Sequence, residues 1–146
     1  MKPRTQEHLD LASESLILGR ALLQSGLGGL TRPPTLEWAV LAAFYVAGCY
    51  LDAYLNELKN VDPGSVQARL NAIGADPTLV HGWPVSALGA YLQLRHLHTA
   101  YSYFPPGSFA SSLRIGPAGA DESFSVHLAK IADTVCGALG ITPPTF

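Results

Sequence analysis

The chain has 146 residues, 48% of them hydrophobic and only 14% charged, with a formal net charge of -2. That length suits one domain with one core, spanning residues 1–146, and the slight acidity excludes broad electrostatic attachment to a phosphate backbone, which draws on clustered Lys and Arg. Charged residues fall well short of the roughly 25% usual in globular domains, so part of the apolar surface is expected to be covered by a second copy of the chain.

The opening Met1-Lys2-Pro3-Arg4 runs into a polar segment rather than an apolar stretch, so no secretory signal is expected. From Thr5 to Ser25, Leu9, Ala12, Leu16 and Leu23, with Leu11, Leu18 and Leu22 beside them, recur at helical steps and predict an amphipathic helix that Gly26, Gly28 and Gly29 end. Arg32-Pro33-Pro34-Thr35 follows, with Thr35 placed to cap a second helix reaching Asn60 and Glu37 in its first turn. Between Trp38 and Leu51 that helix is apolar on nearly every face, which predicts a buried central helix. The run is shorter than the roughly 18 to 20 residues a bilayer requires, and Glu37 and Asp52 bracket it, so no membrane span is expected. Gly48 in its middle either permits close approach of another helix or of a second copy of the chain, or is a tolerated glycine costing about 1 kcal/mol against Ala.

Asp62-Pro63-Gly64-Ser65 predicts a short third helix, with Asp62 as cap and Pro63 in the first turn, that Gly74 stops. A loop through Asp76-Pro77 and His81-Gly82-Trp83-Pro84 should place Trp83 as a plug at the bundle end or as a ligand-stacking surface. A fourth helix is expected from Val85 to Tyr103, ended by Pro105-Pro106-Gly107. The stretch Ser108 to Gly119, with Arg114, reads as a surface loop. A last helix opens at Asp121 and carries Phe124, Leu128, Ile131, Val135 and Leu139 on one stripe before Gly140. Cys49 and Cys136 both fall inside apolar helical patterns, as core thiols of a reducing cytoplasm do. The fold class is therefore all-α, an antiparallel bundle of four to five helices.

Phosphate-binding glycine loops, zinc motifs, Glu-x-x-His pairs and nucleophile elbows are all absent, and no cofactor is implied. His96 and His98 project roughly 200 degrees apart on a helix and cannot share an ion, so no metal site is expected. One polar constellation remains: Tyr91, Arg95, His98 and Ser102 follow one another along one face of the fourth helix. A fixed cation beside a group that titrates near neutrality suits phosphodiester chemistry, with His98 moving a proton and Arg95 steadying the developing charge, and Tyr91, Ser102 and Trp83 available for binding. The same spacing also suits a polar interhelical cluster that holds the bundle in register. A small-molecule pocket lined by Trp83, Tyr91 and Phe44 is a third reading.

The segment Pro33-Pro34-Thr35-Leu36-Glu37-Trp38-Ala39-Val40-Leu41-Ala42-Ala43-Phe44-Tyr45-Val46-Ala47, continued by Tyr50-Leu51-Asp52-Ala53-Tyr54-Leu55, resembles the long central helix of bacterial HEPN domains. The element order agrees: an amphipathic first helix, the long helix, a short helix carrying Arg69, then a helix opening with Ala90, Tyr91 and Leu94. The resemblance covers roughly residues 8 to 140 and implies a helical bundle that dimerises. HEPN ribonucleases also carry an Arg and a downstream His at a spacing that no pair here reproduces, Arg95 and His98 standing too close, as do Arg4 and His8. The resemblance thus implies a homodimeric, non-catalytic interaction module, with a partner such as a nucleotidyltransferase or a place in toxin-antitoxin or defence systems. The alternative is a divergent metal-independent endoribonuclease acting on RNA, with Arg95 and His98 meeting across the dimer axis.

Overall fold

In the computed structural model, which describes residues 1–24, 32–103 and 117–146, the side chains at 32–35, 101–103 and 117–118 excepted, the chain forms six continuous helical runs and no strand among the described residues. The fold is all-α. Helix α1 spans Pro3–Gln24 and α2 spans Arg32–Tyr54, continued by a π-helical turn, Leu55–Lys59. Two short helices follow, α3 (Val66–Gly74) and α4 (Pro77–Val80), then α5 (Ala87–Tyr103). The last run joins α6 (Pro117–Glu122), a second π-helical turn (Ser123–Leu128) and α7 (Ala129–Leu139).

Helix α2 is the hub, packed by α1, α5, α7 and the second π turn. Its Ala39, Val40, Ala43, Val46, Ala47, Leu51 and Ala53 are wholly buried, as an all-round apolar helix requires. The stretch Leu36–Lys59 is long and apolar enough to span a membrane, at mean hydropathy 1.4, but 78% of that window is buried inside the bundle. Helix α1 lies antiparallel to α2: Thr5 donates to Asn56 and Glu57 at one end, and Gly19 touches Ala42 at the other. At Gly19 a Cβ would stand 2.9 Å from the Phe124 ring and 3.2 Å from Ala42 Cβ, so the absent side chain lets three helical runs converge.

The buried face of α1 differs from its leucine stripe. Thr5 and His8 join Ala12, Leu16, Gly19 and Leu22 inside, while Leu11 and Leu18 face outward. Burial of those polar groups is sustained by partners: Thr5 bonds the π turn, and His8 Nε2 lies 3.0 Å from Asp62 Oδ1. Lys2 Nζ donates to the carbonyls of Asn56 (2.6 Å) and Glu57 (2.8 Å), groups that a helix end would otherwise leave without partners.

Several boundaries move. Thr35 lies inside α2, not at its cap, because Pro33 and Pro34 are tolerated in a first turn whose amides have no intrahelical acceptor. Helix α3 is capped by Ser65, whose Oγ accepts from the Ala68 amide at 3.1 Å, while Asp62 reaches back to Arg4 and His8 instead. The expected loop at Asp76-Pro77 is helix α4, with Asp76 accepting from the Thr78 amide at 2.9 Å and Pro77 in the first turn. Residues 117–119 of the expected surface loop begin α6, whereas residues 108–116 with Arg114, the proline stop at 105–107 and the glycines 26, 28 and 29 lie outside the described residues. The closing stripe packs as its period demands, and Gly140, at φ 69°, ends α7 with Ile141 N–H donating to the Cys136 carbonyl, a Schellman closure.

Candidate functional site

Polar chemistry concentrates where α2, α3 and α5 meet. Asp52 on α2 receives two bonds from the Arg69 guanidinium of α3, Nε to Oδ1 at 2.7 Å and Nη2 to Oδ2 at 2.6 Å, the parallel geometry that makes such pairs strong. Nη1 donates to the Tyr91 hydroxyl of α5 at 2.9 Å. Three helices are thereby tied through one planar cation. Gly48, one turn before Asp52, makes the space: a Cβ there would stand 3.2 Å from the guanidinium carbon. The side chains are 14% (Arg69) and 8% (Asp52) exposed. Burial pulls the guanidinium down, but Asp52 and Tyr91 outweigh it and leave Arg69 above its ordinary value, permanently charged.

The aromatic side of the cluster continues through Phe44. Its ring stacks on Tyr91 at 5.2 Å and 17° and meets the His98 ring at 4.4 Å and 35°. Burial holds His98 below its ordinary value and pushes the Tyr91 phenol up. On the outer side, Phe44, Gly48, Asp52 and Arg69 line a cleft of about 390 Å³ shared with Tyr45 and Cys49, and with Arg4 and His8 of α1. Burial, then the Asp52 carboxylate, push the Cys49 thiol up to about 11, which makes it a poor nucleophile at neutral pH. At the cleft edge, burial would raise the Asp62 carboxyl, but hydrogen bonds from Arg4 and His8 prevail and hold it below its ordinary value. A similar knot at the base of α4 joins Asp76 to Lys59 Nζ at 2.8 Å and the Tyr54 hydroxyl at 3.1 Å.

No protein-family model, curated protein or solved structure matches this chain.

The polar stripe of α5 is divided by this arrangement. Tyr91 is wholly buried and turned to Arg69, His98 lies on Phe44, and Arg95 is partly buried with its charge felt at the Tyr91 phenol. Ser102 belongs to α5, but its side chain lies outside the described residues. Trp83, expected as a plug at the bundle end or as a ligand-stacking surface, does not plug the bundle: it is 89% exposed. Trp83, Tyr91 and Phe44 therefore do not line one pocket: two are stacked together inside and the third is in solvent. Among the described residues no group of three or more metal-ligating side chains gathers. The Asp52–Arg69 pair was absent from the candidate residues. Its signals in the sequence are Gly48 a turn before Asp52 and the place of Asp52 and Arg69 in the elements that carry the resemblance.

The depressed His98 value has a consequence for stability. In the unfolded chain this imidazole protonates near its ordinary value of about 6.5, while the folded chain resists protonation until lower pH, so the unfolded state binds more protons in between. The stabilisation is complete above that unfolded value and is lost as pH falls through the lower folded one. Urea unfolding between about pH 7.5 and 5 should show this loss, and His98→Phe, which keeps a ring against Phe44, should remove that part of the slope.

Proposed function

We propose that this chain is a HEPN-like helical module that acts by forming a homodimer and engaging a protein partner, and that it is not itself a catalyst. The observation that carries the reading is an apolar groove of about 480 Å³ between α1 and α2, lined by Ser15, Leu18, Leu22, Trp38, Leu41, Ala42 and Tyr45, with no charged side chain among them. Trp38 and Tyr45, two turns apart on α2, remain 48% and 54% exposed. Half-exposed Trp and Tyr over an apolar floor have the composition of an interface centre, and a surface free of charge can meet its own copy about a two-fold axis without opposing like charges. The resemblance of α2 to HEPN domains, which pair through their helices, favours a second copy as the occupant. The partner then belongs to the class the resemblance implies, such as a nucleotidyltransferase in a defence or toxin-antitoxin setting.

The interior chemistry favours a non-catalytic role. Each of the three Arg69 guanidinium nitrogens donates to Asp52 or Tyr91, and His98 is held against Phe44. Incubated with mixed single-stranded and structured RNAs in EDTA, the protein should leave them intact. Cleavage by the wild type that disappears in both Arg95→Ala and His98→Ala would contradict this reading and establish the divergent endoribonuclease.

A further inference from the structure

The apolar groove between α1 and α2 carries a symmetry of its own. On α2 its lining residues Trp38, Leu41, Ala42 and Tyr45 follow the i, i+3, i+4, i+7 steps of one helical face. Trp38 and Tyr45 therefore stand at equal distances, in opposite directions, from the point between Leu41 and Ala42. On α1, Ser15 and Leu22 stand equally about the point between Leu18 and Gly19. The close contact of Gly19 with Ala42 brings these two midpoints to nearly one level along the antiparallel pair. A two-fold axis crossing both helices at that level exchanges Trp38 with Tyr45, Leu41 with Ala42 and Ser15 with Leu22, with Leu18 beside the axis, and so maps the groove lining onto itself. An interface between two identical faces needs this property, because a residue i that meets j must find j meeting i.

We infer that the homodimer proposed above, on which this inference rests, is built about that axis, with α2 packed antiparallel on α2 of the second copy and each Trp38 set against Tyr45 of the second copy. Each ring is about half exposed in the single chain and gains an aromatic partner, in the offset or edge-to-face geometry that such rings favour. The end of the groove that carries the indole meets the end that carries the phenol, so bulk is matched at both ends. No charged side chain lines the groove, so the pairing sets no like charges together. An axis running along the helices would lay Trp38 over α1 of the second copy instead, and would not require the matched spacing that each helix shows about its own midpoint.

Sedimentation velocity of Trp38→Glu and Tyr45→Arg, alone and mixed, tests the register. Each substitution places an unpaired charge in the apolar groove and should weaken the dimer by at least about tenfold. Mixed in equal amounts, the two variants should form a heterodimer at least about tenfold tighter than either forms with itself. There the introduced carboxylate meets the introduced guanidinium, while the remaining Tyr45 and Trp38 keep their native pairing. Such a gain between separate chains cannot arise within one helix. In the wild-type dimer, assembled from labelled and unlabelled subunits, an isotope-filtered NOE should connect the Trp38 indole of one subunit with the Tyr45 ring of the other, a readout that involves no substitution. A dimeric wild type without that NOE, or a mixture no tighter than its parts, would overturn the register and leave the dimer standing. A monomeric wild type would remove both.

Discussion

Asp52→Ala is expected to destabilise the protein by about 3–5 kcal/mol, the usual result of removing one member of a buried ion pair. The substitution takes away both acceptors of Arg69 Nε and Nη2 and leaves only the Tyr91 hydroxyl. A guanidinium that is 14% exposed cannot recover those bonds fully from water. The pair itself contributes far less than its loss costs, because bringing both charges out of water consumes most of their attraction. Asp52→Leu combined with Arg69→Met should therefore restore most of the stability that Asp52→Ala removes. Urea unfolding at one fixed protein concentration measures all three, with an unchanged slope confirming that the unfolded state is the same. A double variant no more stable than Asp52→Ala would show that the pair holds α2 and α3 together by more than charge balance.

Tyr91→Ala should cost about 3–5 kcal/mol as well, for a different reason. The side chain is among the largest wholly buried ones, and its removal deletes the stack on Phe44 and opens a void between α2 and α5. Tyr91→Phe preserves that volume and removes only the acceptor of Arg69 Nη1, a loss of about 1–3 kcal/mol. The gap between the two variants separates packing from hydrogen bonding in one residue. Thermal unfolding followed by circular dichroism reads both. Equal losses would mean that the hydroxyl dominates, and no loss in either would place Tyr91 outside the core.

The helices were legible wherever one period persisted without competition. Phe124, Leu128, Ile131 and Val135 lie at helical spacing and Gly140 stands just past them, so both the buried face and the end of α7 could be read from the chain. Caps were harder. Asp62 and Ser65 are equally good capping residues, and what decides between them is that Asp62 meets Arg4 and His8, partners more than fifty residues upstream. The candidate site shows the same limit. Tyr91, Arg95 and His98 were legible as one face of a helix, but which of them turns inward depends on how α5 rolls against Phe44. The Asp52–Arg69 pair joins residues 17 apart in sequence on different helices and exists only once Gly48 lets α3 approach.

The central claim, that α1 and α2 present a self-complementary interface, is tested most directly by sedimentation equilibrium of the wild-type protein and of Tyr45→Arg. Tyr45 is more than half exposed at one end of the groove, so an arginine there leaves the fold intact while opposing its own copy across the two-fold axis. The account predicts a wild-type dimer at micromolar concentration and a monomeric variant with unchanged helical content. A wild-type monomer, or a dimer that Tyr45→Arg does not weaken, would contradict it.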